Sequence, residues 1–122
     1  MVRCLIVDDN ANNRLVARYI FEDLHCDVTE ANSAHAAHEE LAKDGIDMVL
    51  LDWMMPQMDG IAFLKSLRAD VRHKNLKVVM CSAKEGEAGI ATAMEAGANA
   101  WLPKPITFDA AQKILKDLGL GN

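Results

Sequence analysis

The sequence predicts an α/β domain built on a parallel sheet, and three observations predict it. Short runs rich in Val, Leu and Ile alternate with longer segments of helical period. Both kinds recur five times along the 122 residues. Several of the runs are followed at once by an acidic, hydroxyl or cationic residue. Such alternation implies right-handed crossovers, and ligand chemistry in these folds sits at the carboxyl ends of the strands.

The first run is Cys4 to Val7, short and continuously apolar, as expected for a strand buried on both faces. Val16, Ala17, Ile20, Phe21 and Leu24 then form one apolar stripe, which predicts the first helix. Cys26 to Ala31 is a weaker, more polar strand, and Ser33 can cap a second helix running to about Lys43. Met48 to Leu51 is the third strand, followed by a helix capped by Asp59 and running through Leu67. Val78 to Cys81 is the fourth strand. The helix after it, Glu85 to Ala96, carries Gly86 and Gly89, so it should be weak and mobile; Gly97 terminates it. Ala100 to Leu102 is a short fifth strand. Pro103 lacks a backbone donor and therefore places that strand at a sheet edge or confines itself to the strand's end. Phe108, Ala111, Leu115 and Leu118 give the last helix its stripe.

Length and composition bound the rest. With 51% hydrophobic and 25% charged residues, the chain suits one compact domain over residues 1–122, with no repeat, linker or low-complexity stretch to divide it. A net charge of −5 argues against direct nucleic-acid binding, which needs clustered Lys and Arg. Cys4, Cys26 and Cys81 are odd in number and lie in apolar stretches, so buried thiols are expected rather than a disulfide framework or a zinc site. No apolar run approaches membrane-spanning length, and Asp8 and Asp9 interrupt the N-terminal run too early for a signal peptide. A soluble, cytoplasmic protein without membrane insertion is expected. His35 and His38 are helical neighbours with nothing to complete a metal set, and read as a solvated face. Met54, Met55 and Met58 read as packing and loop residues, and His25 and His73 carry no motif.

The chemistry is concentrated at the strand ends. The first strand ends in Asp8 and Asp9, the third in Asp52, the fourth in Ser82 and the fifth in Lys104 followed by Pro105. Singly, an Asp pair can be a helix cap and a Lys a surface charge. Together they would bring three carboxylates, a hydroxyl and an ammonium to one edge. Three close carboxylates cannot all ionise without a compensating cation, and hard oxygen ligands in small number favour Mg2+ or Mn2+ with several retained waters.

The strings LIVDDN (5–10), LLDWMMPQMDG (50–60), CSA (81–83) and AMEAGANAWLPKP (93–105) resemble the receiver family of bacterial two-component response regulators, in register over essentially the whole chain. Within that family the spacing is most similar to chemotaxis-type members. The resemblance implies a doubly wound five-stranded parallel sheet of the flavodoxin-like (βα)5 kind. It also implies Asp52 as phosphoacceptor, Asp9 as direct metal carboxylate, Asp8 as a ligand through water, and the backbone carbonyl of Met54 completing the metal site. Ser82 and Lys104 would contact the phosphoryl oxygens, Lys104–Pro105 would be cis, and Trp101 would stand at the aromatic switch position. Such a protein catalyses only its own phosphorylation and dephosphorylation. Its implied partners are a histidine kinase or histidine phosphotransfer protein upstream, and downstream a protein target met through the fourth helix, fifth strand and fifth helix.

This sequence departs from the pattern at four places. Met54 and Lys84 replace an amide and an acidic side chain beside the path of an attacking water, which leaves phosphoryl lifetime open. Ser82 stands for the commoner Thr, and Trp101 is larger than Tyr or Phe. Other readings also remain open at this point. Because the chain stops soon after the last helix, a stand-alone receiver is expected, but a phosphorelay intermediate or a piece of a longer regulator fits too. A magnesium phosphatase forming a phosphoaspartate would need a second Asp where Met54 stands. A flavin or nucleotide binder would need glycines or hydroxyls where Asp8 and Asp9 would repel phosphate.

Overall fold

The computed structural model describes residues 1–43, 45–53, 59–82 and 87–121, with the backbone alone at 87 and 88. In chain order the elements are β1 (Arg3–Val7), α1 (Ala11–Asp23), β2 (Asp27–Ala31), α2 (Ala34–Leu41), β3 (Met48–Asp52), α3 (Gly60–Ala69), a 3-10 turn at Val71–His73, β4 (Lys77–Ser82), α4 (Glu87–Glu95), β5 (Ala100–Pro103) and α5 (Phe108–Asp117). The strands form one parallel sheet in the order β2-β1-β3-β4-β5. β5 is an edge strand ending in Pro103, so the missing donor costs the ladder little.

Strand alternation divides the core into two layers. Leu5, Val7, Val49, Leu51, Val78 and Met80 face α2, α3 and α4, where Phe63 is fully buried. Cys4, Ile6, Met48, Leu50, Val79, Cys81 and Leu102 face α1 and α5, where Phe21 is fully buried. Each such side chain contributes roughly 1.5–3 kcal/mol of transfer free energy. The fold is therefore doubly wound, as the sequence implies.

Side-chain caps set where four helices start. Asn10 accepts from the Asn13 amide at 3.0 Å, Ser33 from Ala36 at 3.1 Å, Asp59 from Ile61 at 2.7 Å, and Thr107 from Ala110 at 3.2 Å. Ser33 and Asp59 were legible in the sequence; Asn10 and Thr107 act the same way.

Several boundaries differ from expectation. β2 starts at Asp27 because the Cys26 amide donates to the Phe21 carbonyl at 2.9 Å and closes the end of α1, with His25 at a φ of +68°. α2 stops at Leu41, two residues short of Lys43, and α3 continues two residues past Leu67. Glu85 and Gly86, the expected start of the fourth helix, lie outside the described residues. Val16 was expected in the apolar stripe of α1 but is half exposed. At about 100° per residue it stands roughly 105° from the centre set by Ala17, Phe21 and Leu24. Likewise Ile114 and Leu115, rather than Phe108, carry the burial of α5 with Ala111.

Cys4, Cys26 and Cys81 are free and buried, as expected. Burial pushes the Cys81 thiol up to about 12, and the Lys104 ammonium opposes this only in part. His35 is exposed beside Glu39, while the exposed His38 packs its ring edge-on to Phe63 at 4.7 Å. No helix among the described residues is long and apolar enough to cross a membrane.

Candidate functional site

Sheet parity builds the site. Asp8 continues the row of Ile6 and Cys4, Asp52 that of Leu50 and Met48, and Lys104 that of Leu102. All three side chains therefore leave the C-terminal sheet edge on the α1 and α5 side. Ser82 continues the row of Val78 and Met80, and Trp53 that of Leu51 and Val49, on the opposite side.

Asp8, Asp52 and Ser82 are the buried polar residues of this edge, and Asp9 is exposed. The Lys104 ammonium donates to Asp8 Oδ2 at 3.1 Å and to Asp52 Oδ1 at 3.2 Å. Burial lowers the Lys104 pKa, but the Asp8 hydrogen bond and the Asp52 charge outweigh it and the net shift is upward. The ammonium stays charged, which offsets part of the cost of two buried carboxylates. The Lys104–Pro105 peptide is cis, as the resemblance implied.

One carboxylate oxygen from each of Asp8, Asp9 and Asp52 can be taken so that all three lie within 4.8 Å of one another. Three hard anionic donors gathered at a strand edge suit a small divalent cation such as Mg2+ or Mn2+. Met54, expected to add its carbonyl, lies outside the described residues, as does Lys84.

The cluster extends into a cavity of about 310 Å³ bounded by Asp8, Asp52, Cys81, Lys104, Val16 and Ile106. Its floor is the apolar layer under α1, where Ile6, Ala17 and Leu50 are buried, so the acidic cluster borders hydrocarbon on that side.

On the far side of the sheet Trp53 is buried, and its ring meets the half-buried Trp101 edge to face, with centroids 5.7 Å apart. Ser82 lies two register steps beyond the Met80–Trp101 pair, opposite Pro103. The residues read from the strand ends are thus brought together, split between two faces: Asp8, Asp52 and Lys104 on one, Ser82 and Trp101 on the other, with Asp9 on the loop above.

Sequence reasoning missed two supports of this site. Gly60 opens α3 with its amide donating to the Trp53 carbonyl at 2.8 Å. A Cβ there would stand 2.6 Å from the Asp52 carbonyl oxygen and 2.8 Å from the Trp53 Cα, both backbone atoms that cannot yield. The signal available was a glycine in the first turn of a helix, a costly choice unless something must pass close. Arg14 is the second: its guanidinium donates to the Asp8 carbonyl at 2.8 Å and pairs with Glu30 at 3.1 Å.

Comparison with known proteins agrees with this geometry. The response regulator receiver domain family matches residues 4–116. A chemotaxis protein CheY homolog of Campylobacter jejuni is 32% identical over 124 aligned residues, covering 99% of this chain and 95% of that protein. The chemotaxis protein CheY-3 of Vibrio cholerae is 38% identical over 107 residues, covering 87% of this chain and 82% of its own length. Among solved structures, chemotaxis protein CheY4 of Vibrio cholerae superposes with a TM-score of 0.89 at 25% identity, covering 97% of this chain and 98% of that one. The receiver domain of the Francisella response regulator 1452 gives 0.87 at 27% identity, covering 97% and 96%.

Proposed function

The chain belongs to the family of response regulator receiver domains, and from that membership we propose that it takes a phosphoryl group onto Asp52 and thereby changes its affinity for a protein target. The observation that carries the reading is the Lys104 ammonium set between Asp8 and Asp52, with Asp9 close enough to complete a cation site.

In the proposed transfer an Asp52 carboxylate oxygen attacks the phosphorus of a phosphohistidine on a histidine kinase or phosphotransfer protein. The new O–P bond forms as the N–P bond breaks, and the departing imidazole nitrogen keeps the electron pair and takes up a proton. Mg2+ held by Asp8, Asp9 and Asp52 would supply charge neutralisation for the phosphoryl oxygens. Lys104 does the same from the protein side, at an atom already within hydrogen-bonding distance of Asp52. Ser82 offers a hydroxyl donor at the end of β4. Gly60 keeps the Asp52–Trp53 backbone close against α3, so the acceptor is held by main chain rather than by a mobile side chain.

The downstream target is proposed to dock on α4, β5 and α5. Ile90 and Met94 on α4 are exposed apolar side chains, and Trp101 on β5 is half-buried, features that suit a surface remodelled on activation. The chemotaxis names of the matched relatives support a signalling role of the same kind.

The test is direct phosphorylation. Acetyl phosphate with Mg2+ should add one phosphoryl group to the intact chain, localised to Asp52 by mass spectrometry. An adduct that persists in Asp52→Asn, or in EDTA, removes this function.

A further inference from the structure

The loop from β1 to α1 carries two of the three carboxylates, and its backbone is gripped from outside the cluster. The Asp8 amide donates to the Ala31 carbonyl at 3.1 Å, and the Asn10 amide donates to Asp8 Oδ1 at 2.9 Å. The Asp8 carbonyl accepts from Arg14 Nη1 at 2.8 Å. That carbonyl belongs to the peptide joining Asp8 to Asp9. A peptide is planar, so a hold on its oxygen restrains the plane from which Asp9 departs, and with it the backbone from which both carboxylates branch.

Arg14 is itself held. Its Nε donates to Glu30 Oε1 at 3.1 Å, while Glu30 Oε2 accepts from Arg18 Nη1 at 2.7 Å. The Arg14 side chain is 16% exposed, the most sheltered member of this network. Glu30 lies on β2, so the chain of contacts runs from β2 through Arg14 to the carboxylate loop.

We infer that Arg14 is a positioning residue for the cation site, aligning Asp8 and Asp9 for Mg2+ through the carbonyl between them. This rests on the metal-assisted reading of the site, and Arg14 itself touches neither metal nor phosphoryl group. Charge and geometry predict opposite signs for its removal. Deleting a cation beside an anionic cluster should by charge alone tighten Mg2+, whereas loss of the carbonyl grip should loosen it.

The test is calorimetric Mg2+ titration of the full chain at neutral pH, without phosphodonor. Arg14→Met keeps the aliphatic stem and should weaken Mg2+ by about tenfold, the scale of lost outer-shell support. Arg14→Lys, which can still donate one hydrogen bond, should recover part of that loss. Arg18→Met breaks the companion pair to Glu30 without touching Asp8 and should leave the affinity unchanged. Melting curves in EDTA check folding; if Arg14→Met does not fold, a weakening in Arg14→Lys carries the result. Wild-type or tighter affinity in the folded Arg14 variants overturns the inference, as does an equal loss in Arg18→Met or a wild-type chain that binds no Mg2+. A chain that binds Mg2+ with the predicted order but takes no phosphoryl group on Asp52 loses the proposed function and keeps this one.

Discussion

Trp53 and Trp101 meet edge to face, their ring planes at 74° and centroids 5.7 Å apart. Trp53 directly follows Asp52, and strand alternation sends the two side chains to opposite faces of the sheet. A change at Asp52, the proposed phosphoacceptor, is thus one peptide bond away from the indole against which Trp101 rests. Edge-to-face aromatic pairs contribute about 0.5–1.5 kcal/mol beyond their buried area, small enough for a covalent event next door to overcome.

Trp101 is therefore expected to change exposure on activation. In Trp53→Phe, where Trp101 is the sole indole, beryllofluoride with Mg2+ should reduce acrylamide quenching as the side chain moves inward behind Ser82. Ser82 lacks the methyl of threonine, which leaves room for the larger ring. Quenching that does not change on activation rejects the movement.

The far end of α4 is tied down. Arg68 on α3 donates to the Gly97 carbonyl at 2.9 Å, to the His73 carbonyl at 2.9 Å and to Asn99 Oδ1 at 2.7 Å. Asn99 in turn accepts from the Val78 amide at 2.8 Å. Gly97 has a φ of +111°, open to glycine and strained for other residues. Arg68→Met removes these charge-assisted hydrogen bonds and should cost roughly 2 kcal/mol in urea unfolding. A change below about 0.5 kcal/mol would show that solvent replaces them, the usual result for an exposed site.

The sequence carried most of this architecture because β1, β3 and β4 are buried on both faces and read as unbroken apolar runs. The site residues were legible for the same reason: Asp8, Asp52 and Ser82 end such runs, where a polar residue interrupts an otherwise apolar row. Contacts between distant residues were not legible. Nothing local marks Arg14 as a partner of the Asp8 carbonyl, Arg68 as the clamp on Gly97, or Trp53 as the neighbour of Trp101. Those pairings depend on the strand order β2-β1-β3-β4-β5, which alternation alone does not specify. Val16 failed differently, since an apolar residue at the edge of a stripe can face either core or solvent.

Acid should weaken the β2–α1 network. The Arg18 guanidinium first, and then Arg14, holds the Glu30 carboxyl below the usual range, with burial opposing. A folded-state pKa below the unfolded value means the unfolded chain binds the proton more readily. Stability from this carboxylate is therefore complete above the ordinary Glu value of about 4.3 and is lost as pH falls through the lower folded value. The stability gap between wild type and Glu30→Gln should hold constant from neutral pH to about 4.3 and narrow below it. A gap that stays constant into the acid limb would mean that the ion pairs contribute nothing.

Asp8 and Asp9 should not contribute equally to Mg2+ binding. Both Asp8 oxygens are already engaged, Oδ1 by the Asn10 amide and Oδ2 by the Lys104 ammonium, and the residue is 5% exposed. A direct bond from Asp8 to the cation would have to displace the ammonium or share an oxygen with it; a bond through water would not. Asp9 is exposed on the loop above, close enough to Asp8 and Asp52 for the three to share one ion. Losing a direct carboxylate removes a ligand charge at short range, whereas losing a water-mediated one leaves the cation's inner shell intact. Asp8→Ala also releases Lys104 to pair with Asp52 alone, which puts the ammonium in closer competition with the cation and accounts for a moderate loss. Mg2+ titration followed by Trp53 fluorescence should give a larger loss in Asp9→Ala than in Asp8→Ala, by about tenfold on the scale of direct against indirect ligation. Equal losses, or a larger one in Asp8→Ala, would assign the direct bond to Asp8 and require Lys104 to leave it when the cation binds.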